Sequence, residues 1–505
     1  MIGTLASRVT GLLRGSLLVQ LFDPAVTDAF NIALRVPNLF RELLAEGALT
    51  NSFVPAYRSL PPDEAKRLVS ALFSLLLVVN AFLQLAAVWA APTVVGWLVA
   101  ENSAVDVPLT VAMTRALFPF LAAISFAALA MGILNAEERF FAPAWAPVAL
   151  NVVTTVLMLF YQDRALLLAT AFVLGGVAQL LVQLPVLASA RLLPRLGVWW
   201  HPRLSGVLLL MVPFTFSTGA RQVLNFVSSR ILSALPVGSV TAYANADLFL
   251  GLALGLFSIS PALAFYSRLA ALTGEPRAFR QSLLTGLRLI TFLTVPAGLL
   301  LALYAGPAVE TVFNWSTLLG GDGMAQGTLL PSVYALSPLG LAVFPLGLNA
   351  LLMRTFYVRQ HVRLPVLISV GFTALNALLY VLLVRNFGLG VAGLSWATVV
   401  VAWAQLVALL ALVWRREHFS LRALLRHSSR VWLAALLSVA LGWVLAGALP
   451  LPAGWWGAAL TLGVGGGVSL PLYVAFCARL GVAEGANVLL FLRRILIRLG
   501  ISKPE

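Results

Sequence analysis

Between Arg67 and Glu101 the chain reads LVSALFSLLLVVNAFLQLAAVWAAPTVVGWLVA (residues 68–100), without one charged side chain. A helix needs about 20 apolar residues to cross the hydrocarbon of a bilayer, so this stretch spans it with residues to spare. In lipid only helices and closed barrels satisfy the backbone, and the run lacks the alternation of a barrel strand. It therefore reads as a transmembrane helix over about 66–100. Two similar segments precede it, at about 3–22 and 27–57. Eleven follow, at about 105–134, 144–161, 165–192, 205–235, 240–271, 278–304, 328–357, 364–385, 390–414, 430–449 and 454–478. The fold class is an all-α polytopic membrane protein of about fourteen transmembrane helices. A short basic helix closes the chain at about 484–499.

The composition agrees. Of 505 residues, 61% are hydrophobic and only 10% charged, and the mean hydropathy is +0.96. A soluble domain carries roughly a quarter charged residues, so a water-soluble fold is excluded. The net charge of +15 could indicate a nucleic-acid partner in a soluble protein. Here its distribution argues for the inner face of a membrane and no nucleic acid. With both termini inside, the inner loops and C-terminal tail hold twenty-three basic residues. The opposite side holds only Arg164 and Arg385. That asymmetry sets the topology by the positive-inside rule: multi-pass, with both termini cytoplasmic.

Several chemistries are not supported. One cysteine, Cys477, permits no internal disulfide and no cysteine metal site. His201, His361, His418 and His427 fall in predicted loops without metal-ligand spacing, so neither a metal nor a cofactor is expected. An integral-membrane enzyme would need paired acids or a histidine-activated nucleophile, and neither motif is present. The apolar start is interrupted by Arg8 and Arg14 and lacks an A-x-A site, so it is not read as a cleaved signal peptide.

Eight arginines fall inside predicted helices: Arg8, Arg14, Arg35, Arg41, Arg115, Arg221, Arg230 and Arg288. A charge at the bilayer centre costs at least ~2.5–3.5 kcal/mol, so such groups face a bundle interior or a wet cavity. Arg115 and Arg288 are read as structural. The first two helices stand out. Asn31, Arg35, Asn38, Glu42 and Glu46 are spaced by three or four and share one helical face, with Arg41 and the kink-permitting Pro37 beside them. One reading is a cavity that binds a phosphate or diphosphate, since the guanidinium fork matches such oxygens. The other is an internal network of Arg35 and Arg41 with Glu42 and Glu46. In helix 8, Asp247 is an intramembrane acid expected to pair with an arginine of helix 7 or of helices 1 and 2. There is also a faint internal echo. Phe118-Pro119, Arg139, Pro143 and Asn151 correspond to Phe344-Pro345, Arg359, Pro365 and Asn376, as in transporters built from two repeats.

The run Ser7-Arg8-Val9-Thr10-Gly11-Leu12-Leu13-Arg14 resembles the first helix of the MurJ/MviN lipid II flippase family. Thr27-Asp28-Ala29-Phe30, Arg35-Val36-Pro37-Asn38-Leu39-Phe40-Arg41, Leu44-Ala45-Glu46-Gly47-Ala48 and Ser52-Phe53-Val54-Pro55 are similar to its second helix and its exit. The resemblance implies a multidrug/oligosaccharidyl-lipid/polysaccharide exporter fold: two six-helix lobes around a central cavity, plus two C-terminal helices. The corresponding regions are 1–204, 205–428 and 429–505. It implies as substrate undecaprenyl-diphosphate carrying a disaccharide-peptide, flipped from the cytoplasmic to the outer leaflet, with membrane lipids and cell-wall synthesis proteins as partners. It places Arg8, Arg14 and Arg41 on the family's cavity arginines, Asp28 on its helix 2 acid and Glu46 on its A-E-G acid. Arg35, Asn38 and Glu42 complete the candidate set. The chain departs from the family pattern at Gly15, where an acid is frequent, and at Leu248, where the helix 8 signature has arginine. Arg221 or Arg230 would supply the missing cation from helix 7. Ser228 and Tyr380 occupy positions where some members carry sodium-binding acids, so no such site is expected. Two other readings stay open: an exporter of another polyprenyl-linked glycan or drug, and a non-transporting cell-wall scaffold.

Overall fold

The computed structural model describes residues 2–44, 48–161, 164–319, 323–359 and 363–498, with side chains except at 2, 4, 40, 42–44, 48–51, 212–221, 319 and 491–498. Among the described residues every regular element is a helix. Eleven helical segments are long and apolar enough to cross a membrane. The chain forms two compact units, one of Met1–Thr241 with Met324–Thr328 and one of the remainder.

The first unit contains α1 (Ile2–Leu21), α2 (Pro24–Leu44), α3 (Ala48–Arg58), α4 (Pro62–Leu98), α5 (Val107–Ala136), α6 (Phe141–Phe160), α7 (Ala165–Leu181), α8 (Leu184–Ser189), α9 (Pro202–Ser233) and the start of α10 (Ser239–Leu254). The uncharged run that begins at Leu68 lies in α4. The helix expected over 27–57 is helical over 24–44 (α2) and 48–58 (α3), and 45–47 lie outside the described residues. α5 is central: α2, α4 and α7 all pack on it, and most of its side chains are buried. Its start is fixed by Asp106, whose carboxylate accepts from the Leu109 amide at 2.9 Å, an N-cap that satisfies one of the helix's orphan donors. Small residues set the tightest packing. A Cβ on Gly3 would lie 2.7 Å from the Ala144 carbonyl oxygen, so α1 lies against α6 only with glycine there. A Cβ on Gly176 would lie 2.8 Å from the Phe120 ring, which fixes the approach of α7 to α5. α9 packs on α2, α3 and α4, within the first unit.

The second unit holds the rest of α10, α11 (Ser260–Ala271), α12 (Pro276–Leu303), α13 (Ala305–Phe313), α14 (Gln326–Val358), α15 (Arg363–Val381), α16 (Gly390–Glu417), α17 (Leu421–Ala448), α18 (Trp455–Arg479) and α19 (Ala483–Arg498). A π-helical segment, Gly255–Ile259, joins α10 to α11, and another, Leu382–Asn386, continues α15. The loop expected between 304 and 328 contains α13. It forms because α18 covers its apolar side and the Trp455 indole donates to the Thr311 carbonyl at 2.8 Å. α12 packs on α17, and α17 on α18. α19, where the basic closing helix was expected, folds back on α18. Cys477 is fully buried at that turn. His427 of α17 and Glu484 of α19 meet at 3.0 Å beside it. Arg288 of α12 donates to the Ala423 carbonyl at 3.5 Å.

Candidate functional site

The first unit encloses a cavity of about 750 Å³ among α1, α2, α5, α6 and α7. Its cations come from two helices: Arg8 and Arg14 from α1, Arg41 from α2. Arg8 is exposed, while Arg14 and Arg41 are partly buried. Asn38, Asn135, Asn151 and Gln179 add neutral polar groups, and Phe120, Leu150 and Phe172 form apolar wall. No acid lines it among the described residues. Three guanidiniums lining one volume beside neutral amides form a donor set whose geometry matches an anion with several oxygens.

Arg14 is held from two sides. Its Nη1 donates to Asn151 Oδ1 at 3.0 Å, and its guanidinium lies 4.7 Å from the centre of the Phe172 ring. Asn151 is itself fixed, because its Nδ2 donates to the Ser7 carbonyl at 3.0 Å and to Thr10 Oγ1 at 3.1 Å. Phe172 is backed by Phe30, ring centres 4.6 Å apart. One face of Arg14 is thus occupied by the Phe172 ring, and the residue lines the cavity.

The polar face read from the sequence of α2 divides in two. Leu34, Asn38 and Arg41 line the cavity. Asn31 and Arg35 point elsewhere. Arg35 Nη1 donates to the Asn225 carbonyl at 2.8 Å and to Ser228 Oγ at 3.0 Å on α9, and Asn31 donates to Thr241 Oγ1 at 3.1 Å. A helical face is broad, and a rotation of about 100° per residue separates position 35 from position 34.

Asp28 is buried, with 1% of its surface exposed, and is not among the cavity-lining residues. Its Oδ2 accepts from the Gly238 amide at 2.7 Å, and its Oδ1 accepts from the Thr241 amide at 2.8 Å and Thr241 Oγ1 at 2.6 Å. The carboxylate therefore sits on the first turn of α10, where the free amides and the helix dipole favour an anion. Gly238 has φ +92°, a left-handed conformation that glycine adopts without strain, and this turns its amide toward Asp28. Arg230 Nη1 donates to the carbonyls of Gly96 at 3.1 Å and Val99 at 3.1 Å, at the C-terminal end of α4. It is a capping cation there rather than a cavity group. Asp247, on α10, is exposed rather than buried in the helix bundle, and belongs to the second unit. The side chains of Glu42 and Arg221, and all of Glu46, lie outside the described residues. Tyr380 bonds Thr398 Oγ1 at 3.1 Å.

Asn135, Asn151 and Gln179 were not singled out as cavity groups from the sequence. Their signal was available: each is an amide inside an otherwise apolar helix, where a polar side chain must find a partner or a wet surface.

The sequence profile described as "Lipid II flippase MurJ" matches residues 19–476. A curated protein of Burkholderia cenocepacia, "Lipid II flippase MurJ", is 33% identical over 76% of this chain and 78% of its own. A protein of Bdellovibrio bacteriovorus, "Probable lipid II flippase MurJ", is 32% identical over 88% of this chain and 84% of its own. Among solved structures, one titled "Lipid II flippase MurJ, inward closed conformation" superposes with a TM-score of 0.78 at 19% identity, over 95% of this chain and 98% of that one. An inward-facing multidrug resistance MATE family transporter superposes with a TM-score of 0.69 at 17% identity, over 82% and 96%.

Proposed function

Because the chain belongs to the lipid II flippase MurJ family, we propose that it moves the lipid-linked peptidoglycan precursor from the inner to the outer leaflet of a bacterial inner membrane. The observation that carries the proposal is the cavity whose described lining holds Arg8, Arg14 and Arg41 and no acid. A diphosphate presents the oxygens that such a set of forks binds, and each charge-assisted contact contributes about 1.5–3 kcal/mol. Asn38 and the amides of α5, α6 and α7 supply neutral donors and acceptors for the sugar and peptide. Asp28, Arg35 and Arg230 act as positioning residues that hold α2, α9 and α10.

The proposed route is alternating access: the cavity opens to the cytoplasm, takes up the headgroup while the polyprenyl tail stays in lipid, and then opens to the other side. This is carriage without covalent chemistry, so no catalytic residue and no cofactor is assigned. Fourteen spans with both termini cytoplasmic fit the basic-residue distribution and the family. The regions 1–204 and 205–428 would be the two lobes, with 429–505 the terminal pair of helices and tail.

The test is complementation of a flippase-depleted bacterium with the wild-type chain, Arg14→Ala and Arg41→Ala, each checked for membrane insertion. Rescue by wild type and failure of an inserted arginine variant is the expected result. Failure of inserted wild type would sink the proposal and favour the scaffold or another polyprenyl-linked substrate.

A further inference from the structure

At one end of the second unit, the start of α12 and the ends of α14 and α16 enclose a second cavity of about 450 Å³. Its lining includes Arg280, Arg359 and Arg416 against a single acid, Glu417. The acid is committed. Glu417 is 9% exposed, and its two oxygens take Arg359 Nε at 2.8 Å and Nη2 at 2.7 Å in a fork-to-fork pair. Arg359 is further held by the Phe279 ring, 4.0 Å from its guanidinium, and by the Thr273 carbonyl at 3.1 Å. That pair is therefore a fixed wall. Two formal positive charges are left, on Arg280 and Arg416, and among the described residues neither forms an ion pair. Arg416 lies 5.6 Å from the Phe356 ring centre, which leaves its donors available. Pro276, the first residue of α12, also lines the cavity, so the amino end of a 28-residue helix adds its partial positive charge.

We propose that this cavity binds a phosphate-bearing anion: the headgroup phosphate of an anionic phospholipid, or the same group on a soluble compound. The chemistry is that of a basic pocket between membrane helices, with two forks outside any ion pair opposite a buried ion pair that keeps the walls in place. The site is separate in sequence and composition from the arginine cavity of the first unit, and it binds whether or not that cavity transports.

The test uses the full chain purified in neutral detergent, with thermal unfolding and tryptophan fluorescence read during titration. The probes are short-chain phosphatidylglycerol, short-chain phosphatidylcholine, inorganic phosphate and glycerol phosphate. Saturable binding of phosphatidylglycerol but not phosphatidylcholine is expected. Arg280→Gln/Arg416→Gln should weaken it on the order of tenfold or more, given two lost basic contacts. Arg280→Lys/Arg416→Lys, which keeps the charge, should retain most of it and controls for folding. Tighter binding of the soluble phosphates than of the lipid assigns the site to a soluble ligand of the same chemistry. No binding by any phosphate probe overturns the proposal, as does wild-type binding by the glutamine variant. A response lost in Arg14→Ala/Arg41→Ala but kept in Arg280→Gln/Arg416→Gln would locate the anion in the first cavity, and overturns it too.

Discussion

Arg14 owes its orientation to a neutral residue, Asn151, which spends its oxygen on the guanidinium and its amide hydrogens on the α1 backbone and Thr10. Asn151→Ala should therefore free Arg14 without removing any charge. A hydrogen bond to a charged group is worth about 1.5–3 kcal/mol, so flipping in reconstituted liposomes should fall about tenfold with the protein still folded. Asn151→Asp should be at least as damaging for a different reason, since it places an anion where the substrate's charge belongs. Asp28→Asn tests a buried carboxylate. It keeps the shape but replaces one acceptor with a donor facing the amide of Gly238 or Thr241, and a loss of about 1–3 kcal/mol is expected in thermal unfolding. At this scale the sequence drew attention to the arginines, because arginine inside an apolar helix is a rare and costly choice, and Arg8, Arg14 and Arg41 line the cavity. It did not separate Arg35 from Arg41, because both carry the same charge and only the packing of α9 tells them apart. Nor did it distinguish Arg230, whose partners are backbone carbonyls of a helix more than a hundred residues away in sequence.

Helices were the most legible level. Long uncharged runs give their existence without ambiguity, and the expected closing helix at 484–499 is described as Ala483–Arg498. What periodicity could not give were the irregular joints: the π segments at Gly255–Ile259 and Leu382–Asn386, and the short α13. Each depends on neighbouring helices rather than on local propensity. The docking of α19 makes a testable case. Burial pushes the Glu484 carboxyl up, but the His427 hydrogen bond, a backbone amide and the charges of His427 and Arg288 outweigh it and leave the group below its ordinary value. A depressed carboxylate stabilises the fold above its unfolded value and loses that contribution as pH falls through the folded one. α19 should stay docked from neutral pH down to about pH 4, and then loosen. Amide exchange along 483–490 against pH would show it, and Glu484→Gln should remove the acid-dependent step. Retention of that step in the variant would assign it to another group.

For the molecule as a whole, hydropathy and charge asymmetry were sufficient to expect a multi-pass protein, and among the described residues eleven helical segments pass on length and apolarity. Among the described residues α1 and α2 do not pass, and these are the helices that carry Arg8, Arg14, Arg35 and Arg41. The same charges that make the cavity useful thus weaken the membrane signal of the helices that form it. A cavity with excess positive charge also senses voltage, at about 2.3 kcal/mol per charge per 100 mV. An inside-negative potential should draw the empty cavity back toward the cytoplasm and speed turnover several-fold in liposomes, and clamping the potential at zero should abolish that gain.

The burial of Cys477 has a practical consequence. The chain's single sulfhydryl is hidden at the α18–α19 turn, so the unaltered sequence is already a silent background for side-specific alkylation. A membrane-impermeant maleimide applied from outside should mark Ala104→Cys and leave Ser59→Cys untouched until the cells are opened. A series of such replacements would count the crossings one by one without first mutating any native residue away.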